Sequence, residues 1–447
     1  MKGMAAAVAA MAMCCAWQVQ ARDAADAGGI TLSPTPPTAL KPAGKKATQQ
    51  EADTVGWRMF VAFNWPAKPG VRGVPDKSKA FGAPGPVVWE TWKSPDEVFY
   101  PDGSKPPGWN QYGTPIPAEC SAQGAKGDGT TPPVLTRSLI DRTSQAVGGS
   151  LTDQNGNLVR YSITFNKDVF DFVYDNGYYN VAGQDKMTRA VNYPRGTAEM
   201  KASWRVLLPT EPEDVKKRFL RRQAYVYTPA MGGNPASCSL REVGLLGLHF
   251  NLKIAYPDNN LQWLGATFEQ VDNVPPFAPD GQPGKDTAHT LPYSLFDKKC
   301  YAADAHCVYN LSTEQGRDPS TPTQVTRLVD IDPAAQLLNP QWQSAFAADA
   351  PDSPWQYYQM ITTQYPATPS QKPVGGPSPA LSANTTMETY VPRSSCLNCH
   401  YTAKDVNAKY FADYSFMLAQ ACPKPLFPPP GGGSWGDPTP VCTKSPH

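Results

Sequence analysis

Residues Leu240–Ile254 read LREVGLLGLHFNLKI. From Leu248 onward the residues alternate: Leu248, Phe250 and Leu252 fall on one side, His249, Asn251 and Lys253 on the other. A period of two is that of a strand, whose successive side chains point to opposite faces of a sheet. Working outward, Lys201–Leu208 (KASWRVLL), Leu261–Glu269 (LQWLGATFE) and Trp355–Tyr365 (WQYYQMITTQY) read as further strands. Asn155-Gly156 between Ser150–Asp153 and Leu158–Phe165 predicts a hairpin with a tight turn. Pro86–Lys93 (PVVWETWK) begins like a strand.

Helices are few. Trp57, Phe60, Val61 and Asn64 fall at i, i+3, i+4 and i+7, a short helix halted by Pro66, and Ala334–Ala347 predicts another. The 48 prolines in 447 residues disfavour long helices. The expected fold class is α+β: a β-rich antiparallel body with many Pro/Gly loops and a short C-terminal helical segment packed on it.

Charge narrows the function. Forty Lys+Arg against 39 Asp+Glu give a net +1, so the clustered basic excess of a nucleic-acid binder is missing. No repeat suggests a solenoid. No apolar stretch after residue 21 is long enough to span a membrane.

Met1–Ala21 (MKGMAAAVAAMAMCCAWQVQA) has a basic start, an apolar run and small residues at its end, the pattern of a secretory signal cut after Ala21. Cys14 and Cys15 raise a lipoprotein anchor as the competing reading, but Met13 stands where a small residue is expected. Residues 22–50 read as a flexible leader, 51–366 as the body, 367–383 as a Pro/Gly/Ser-rich linker, 384–421 as the segment carrying the chemistry, and 422–447 as a tethered tail. The expected compartment is the periplasm.

Export shapes the cysteine count. Of ten cysteines, eight follow the signal. Cys396-Leu397-Asn398-Cys399-His400 is C-x-x-C-H, the attachment signature of c-type haem. The two-residue gap brings both thiols onto one haem edge, and His400 reaches back to the iron. With ten Cys and five His in the chain, on the order of 0.002 accidental matches are expected. A redox disulfide lacks the surrounding βαβ pattern, and a zinc site would have to draw on His249, His289, His306 or His447. The remaining six cysteines suggest Cys300–Cys307, Cys422–Cys442 and, by elimination, Cys120–Cys238.

One signature implies one covalent haem. Only 47 residues follow His400, too few for a self-contained cytochrome, so preceding residues must complete the pocket. Asp413–Ala421 (DYSFMLAQA) predicts a short helix with Phe411, Tyr414, Leu418 and Ala421 on one face, able to cover the haem plane. For the distal side the candidates are His249, as ligand or unligated acid/base, and Met417, with Met387 behind them. For each, an ordinary structural or packing role is the competing reading. Among carboxylates, Glu269, Asp272 and Glu388 are weighed as proton shuttles against hydrogen-bonding or capping roles. Tyr390 and Tyr401 flank the signature.

Several stretches together resemble an uncharacterised bacterial family of exported cytochrome c-like proteins: Trp57–Pro66 (WRMFVAFNWP), Val88–Lys93 (VWETWK), Val243–Phe250 (VGLLGLHF), Gln262–Pro275 (QWLGATFEQVDNVP) and Asn384–His400 (NTTMETYVPRSSCLNCH). The resemblance spans about residues 55 to 421. It implies a periplasmic haem protein with one C-terminal haem site, held by Cys396, Cys399 and His400.

Two functions are expected from these readings. The first is an exported monohaem c-type cytochrome that transfers electrons to a redox partner protein. The second is a haem c-dependent oxidoreductase, peroxidase- or oxygenase-like, with an open distal site for a small-molecule oxidant.

Overall fold

The computed structural model describes residues 30–41, 46–111, 117–122, 138–140, 142–143, 145, 147–228, 230, 235–256, 260–280, 282–366 and 376–422. The signal, most of the linker, Cys442, His447 and the tail beyond Cys422 lie outside them.

The strands are β1 (Ser138–Ile140), β2 (Arg160–Phe165), β3 (Ala198–Val206), β4 (Arg221–Thr228), β5 (Ser237–Ala255), β6 (Leu261–Gln270), β7 (Tyr358–Pro366) and β8 (Pro377–Ser378). They form one sheet, antiparallel except where β1 pairs parallel with β4. At 19 residues β5 is its spine. Its first half pairs with β4, and its second half with β3 on one side and β6 on the other. The register sets Lys201, His249 and Thr267 in one row across β3, β5 and β6.

The helices are α1 (Gln49–Phe63), α2 (Ala118–Ala122), α3 (Lys167–Asp175), α4 (Val181–Gln184), α5 (Glu213–Lys216), α6 (Pro333–Asp349) and α7 (Cys396–His400). A capping box starts α1: Thr48 Oγ1 accepts from the Glu51 N–H, and the Glu51 carboxylate accepts from the Thr48 N–H at 2.8 Å. It therefore begins inside the expected leader. Asp332 caps α6, with Pro333 in its first turn.

The alternation along β5 separates two faces. Leu248, Phe250 and Leu252 line up with Ala202 and Met200 of β3 and with Phe268, Ala266 and Leu264 of β6. Aromatic rings of α1 and α6 cover this apolar face. Phe60 packs on Phe268 at 4.6 Å between ring centroids, Phe63 on Phe250 at 5.4 Å, and Trp57 stacks on Trp342 at 5.5 Å. These are the separations at which ring pairs add to area burial.

The opposite face is polar and also covered. It carries Glu199, Lys201, Ser203, His249, Thr267 and Glu269, and the chain after β8 lies across it. Thr386 Oγ1 meets Ser203 Oγ at 2.6 Å, Asn384 Nδ2 donates to Thr267 Oγ1 at 3.0 Å, and Glu269 accepts from the Thr385 N–H at 2.7 Å. Ser203, Thr267 and Glu269 thus find partners across the layer, which makes their burial tolerable. Glu269 also holds Arg327 in a buried ion pair.

Three expectations are corrected. Val88–Thr91 is a turn of 3-10 helix, not a strand, because Glu90 takes the Val87 N–H at 2.8 Å and Trp89 Nε1 donates to Asn64 at 2.8 Å. The hairpin is only a bridge, Thr152 to Leu158, around Gly156 at φ +79°. There the Asp153 carboxylate accepts the N–H groups of Asn155 and Asn157, and the strand proper begins at Arg160. Asp413–Ala421 is not a helix. Asp413 and Tyr414 take φ of 51° and 66°, and only Leu418–Gln420 makes a 3-10 turn. Phe411 is 43% exposed while Leu418 is fully buried, so they share no face.

Cys120–Cys238 and Cys300–Cys307 are disulfides, as expected. Cys422 is also disulfide-bonded; the expected partner, Cys442, lies outside the described residues. Among the described residues no helix is long and apolar enough to cross a membrane.

Candidate functional site

The segment C-x-x-C-H forms α7, which is seated on the sheet. Ser395 caps it through the Asn398 N–H, and Gln364 of β7 accepts the Leu397 N–H at 3.1 Å. Gly265 of β6 lies beneath it: a Cβ there would stand 3.9 Å from Cys396 Cβ, an ordinary contact, but only 2.9 Å from Asn251 Oδ1.

One helical turn places Cys396 and Cys399 on the same side. They are unbonded, Cys396 half-buried and Cys399 exposed. Cys396 Sγ lies 3.6 Å from Ser382 Oγ. Ser382 also lines a cleft of about 280 Å³ with Asp330, Ile361 and Leu381. Burial pushes the Cys396 thiol up to about 12, with the negative charge of Glu388 adding to it; Cys399 shifts the same way for the same reasons. Both thiols are therefore protonated at neutral pH. Among the described residues no group of three or more His, Cys, Asp or Glu stands together to hold a metal ion.

His400 is fixed by a backbone group. Its Nδ1 lies 2.7 Å from the Tyr414 carbonyl oxygen. A carbonyl can only accept, so Nδ1 carries the proton and Nε2 keeps its lone pair. Phe416 packs against the ring at 5.0 Å. Burial outweighs the hydrogen bond to the Tyr414 carbonyl and holds the His400 pKa below its usual value, so the imidazole is neutral at neutral pH.

Facing this group from the sheet is His249. Its Nε2 lies 3.4 Å from Glu388 Oε2, within ion-pair reach yet not aligned as a hydrogen bond, so this buried nitrogen keeps its bonding capacity open. Glu388 is anchored by the Asn384 N–H at 2.8 Å. Burial alone would raise its pKa, but His249, that N–H and Lys201 outweigh burial and hold the carboxyl low. Lys201, in register with His249, extends its Nζ over the Tyr161 ring at 5.0 Å.

The other sequence candidates stand as follows. Met387 is buried in an apolar cluster with Tyr161, Leu246 and Leu295. Met417 is 5% exposed in the loop that supplies the Tyr414 carbonyl. Glu269 is tied to Arg327 and Thr385, and Asp272 to Arg218 at 2.5 Å, so both are structural. Tyr390 donates to the Ser150 carbonyl, and Tyr401 stacks on Phe411 at 5.4 Å. His289 is half-buried and stacked on Tyr293 at 4.3 Å, with Asp272 facing its Nδ1 at 3.7 Å. His306 is exposed.

Comparison of the chain with protein-family models, curated proteins and solved structures finds no match.

Sequence reading missed Lys201, Gln364, Ser382 and the Tyr414 carbonyl. Only Lys201 carried a signal, the polar row Glu199, Lys201, Ser203 and Arg205 along β3.

Proposed function

We propose that the chain binds one haem c, with Cys396 and Cys399 as thioether donors and His400 as the proximal iron ligand, and that it transfers electrons as an exported cytochrome. The carrying observation is the bond from His400 Nδ1 to the Tyr414 carbonyl at 2.7 Å. Iron-ligating histidines typically donate their second ring nitrogen in this way, which fixes the tautomer and raises ligand basicity. The two unbonded thiols on one helical turn beside it match the attachment chemistry. Haem supplies a one-electron couple when bound; the protein orients the ligand and shields the site.

The disulfides favour an oxidising compartment, in line with the signal-like N-terminus and a periplasmic location. The partner class is a redox protein, and the resemblance to exported cytochrome c-like proteins supports the same reading.

His249 and Glu388 favour catalysis as a second reading. The open Nε2 of His249, 3.4 Å from the Glu388 carboxylate, is available to exchange a proton with a bound oxidant. The oxidised, reduced and carbon-monoxide spectra of protein exported in a host with cytochrome c maturation decide between them. A low-spin haem that ignores carbon monoxide supports electron transfer. A high-spin ferrous form that binds it at once supports catalysis.

A further inference from the structure

The carbonyl that holds His400 belongs to an unusual stretch of backbone. Asp413 and Tyr414, neither of them glycine, stand consecutively in the left-handed region at φ 51° and 66°. L-residues avoid this region because Cβ crowds the following carbonyl, so the surroundings must impose it.

The imposing groups are visible on both sides of Tyr414. The Asp413 carboxylate is held by Lys253 Nζ and by the Tyr193 N–H at 2.7 Å. Ser415 donates its hydroxyl to Glu199. Lys253 also reaches Asn192 and is only 1% exposed, a buried cation used for this contact. Glu199 stands on β3 opposite Asn251, and Lys253 stands two residues beyond Asn251 on β5, on the polar face that carries His249. Two anchors from the rigid sheet thus grip the residues before and after the carbonyl.

We propose that Lys253 and Glu199 are positioning residues for His400, clamping the Asp413–Ser415 loop so that the Tyr414 carbonyl bears on Nδ1 and sets the donor strength of the imidazole. This rests on the haem reading above. A firm Nδ1–H···O=C bond makes the ring a stronger donor, which favours the ferric over the ferrous state. Loosening the clamp raises the reduction potential.

The test is a spectroelectrochemical titration of the haem-loaded protein, wild type against Lys253→Met, Lys253→Arg and Ser415→Ala. Expected is an upward shift of the midpoint in Lys253→Met, read as a severalfold rise in the ferrous-to-ferric ratio at a fixed potential. Lys253→Arg, which keeps the cation, restores most of it, and Ser415→Ala shifts the same way by less. Loss of the Lys253 charge by itself would lower the midpoint, and a merely structural tie would leave it unmoved in Ser415→Ala, which keeps the charge. Should Lys253→Met fail to fold, the milder Ser415→Ala decides alone. Haem-loaded variants with the wild-type midpoint overturn the inference and leave the haem reading standing. Wild-type protein without covalent haem overturns the haem reading and this inference with it.

Discussion

His249 Nε2 and Glu388 Oε2 lie 3.4 Å apart, joining the centre of the sheet to the segment that carries C-x-x-C-H. The contact spans the layer between β5 and the covering chain, so the polar face of the sheet is a wall of the candidate site. His249 influences His400 electrostatically, whereas Met387 lies among apolar side chains. In haem-loaded protein His249→Ala is therefore expected to change the ferric absorption spectrum. Met387→Leu leaves the spectrum unchanged and costs under about 1.5 kcal/mol in a denaturant titration. A spectrum indifferent to His249→Ala would remove that residue from the site.

Gly56 of α1 lies against β7, where a Cβ would come within 2.2 Å of Thr363 Oγ1 and 2.8 Å of Met360 Cε. Gly56→Ala forces the helix off the sheet despite its better helix propensity, and overpacking of this kind costs about 1–3 kcal/mol. Equilibrium unfolding in urea measures it. A stabilised variant would contradict the packing described for α1.

Asp53 is buried, and burial raises its pKa to about 7 in spite of the hydrogen bonds from Gln49 and Thr363. The sign follows from proton counting. Between about pH 4 and 7 the unfolded chain has released this proton while the folded chain keeps it, so the group's contribution falls as pH rises. The slope is up to about 1.4 kcal/mol per pH unit, and it levels off above the folded value. Asp53→Asn keeps an acceptor for both donors and cannot ionise. Its stability relative to wild type is expected to rise from pH 4 to pH 7 in parallel thermal melts, and a constant difference would refute the shift.

The buried pair Arg327–Glu269 gives a further outcome. Arg327→Met leaves the Glu269 carboxyl, at 0% exposure, without its partner, and losing one partner of such a pair costs about 3–5 kcal/mol. The double variant with Glu269→Leu recovers much of the loss. Urea titrations of both test it, and equal stabilities would contradict the pairing.

Much of this architecture was legible because strand periodicity is local. The alternation in Leu248–Lys253 placed His249 opposite Phe250 without knowledge of the fold, and the C-x-x-C-H spacing named Cys396, Cys399 and His400. What was not legible depends on partners distant in sequence. Val88–Lys93 has strand-forming residues, yet Glu90 and Trp89 bind backbone and side-chain groups that turn it into a 3-10 helix. DYSFMLAQA has a helical pattern, yet Lys253 and Glu199 draw Asp413 and Ser415 onto the sheet and force the left-handed turn. The Tyr414 carbonyl has no sequence signature, because every residue has one. Glu388 was a candidate because its segment belongs to the family resemblance, and only the fold brings it to His249.

The most direct test of the central claim is the intact mass of the exported protein from a host with cytochrome c maturation, measured in denaturing acid beside Cys396→Ser and Cys399→Ser. Wild-type protein heavier than its mature chain by one haem is expected, with weakened or lost attachment in each variant. A wild-type mass equal to that of the bare chain would contradict it.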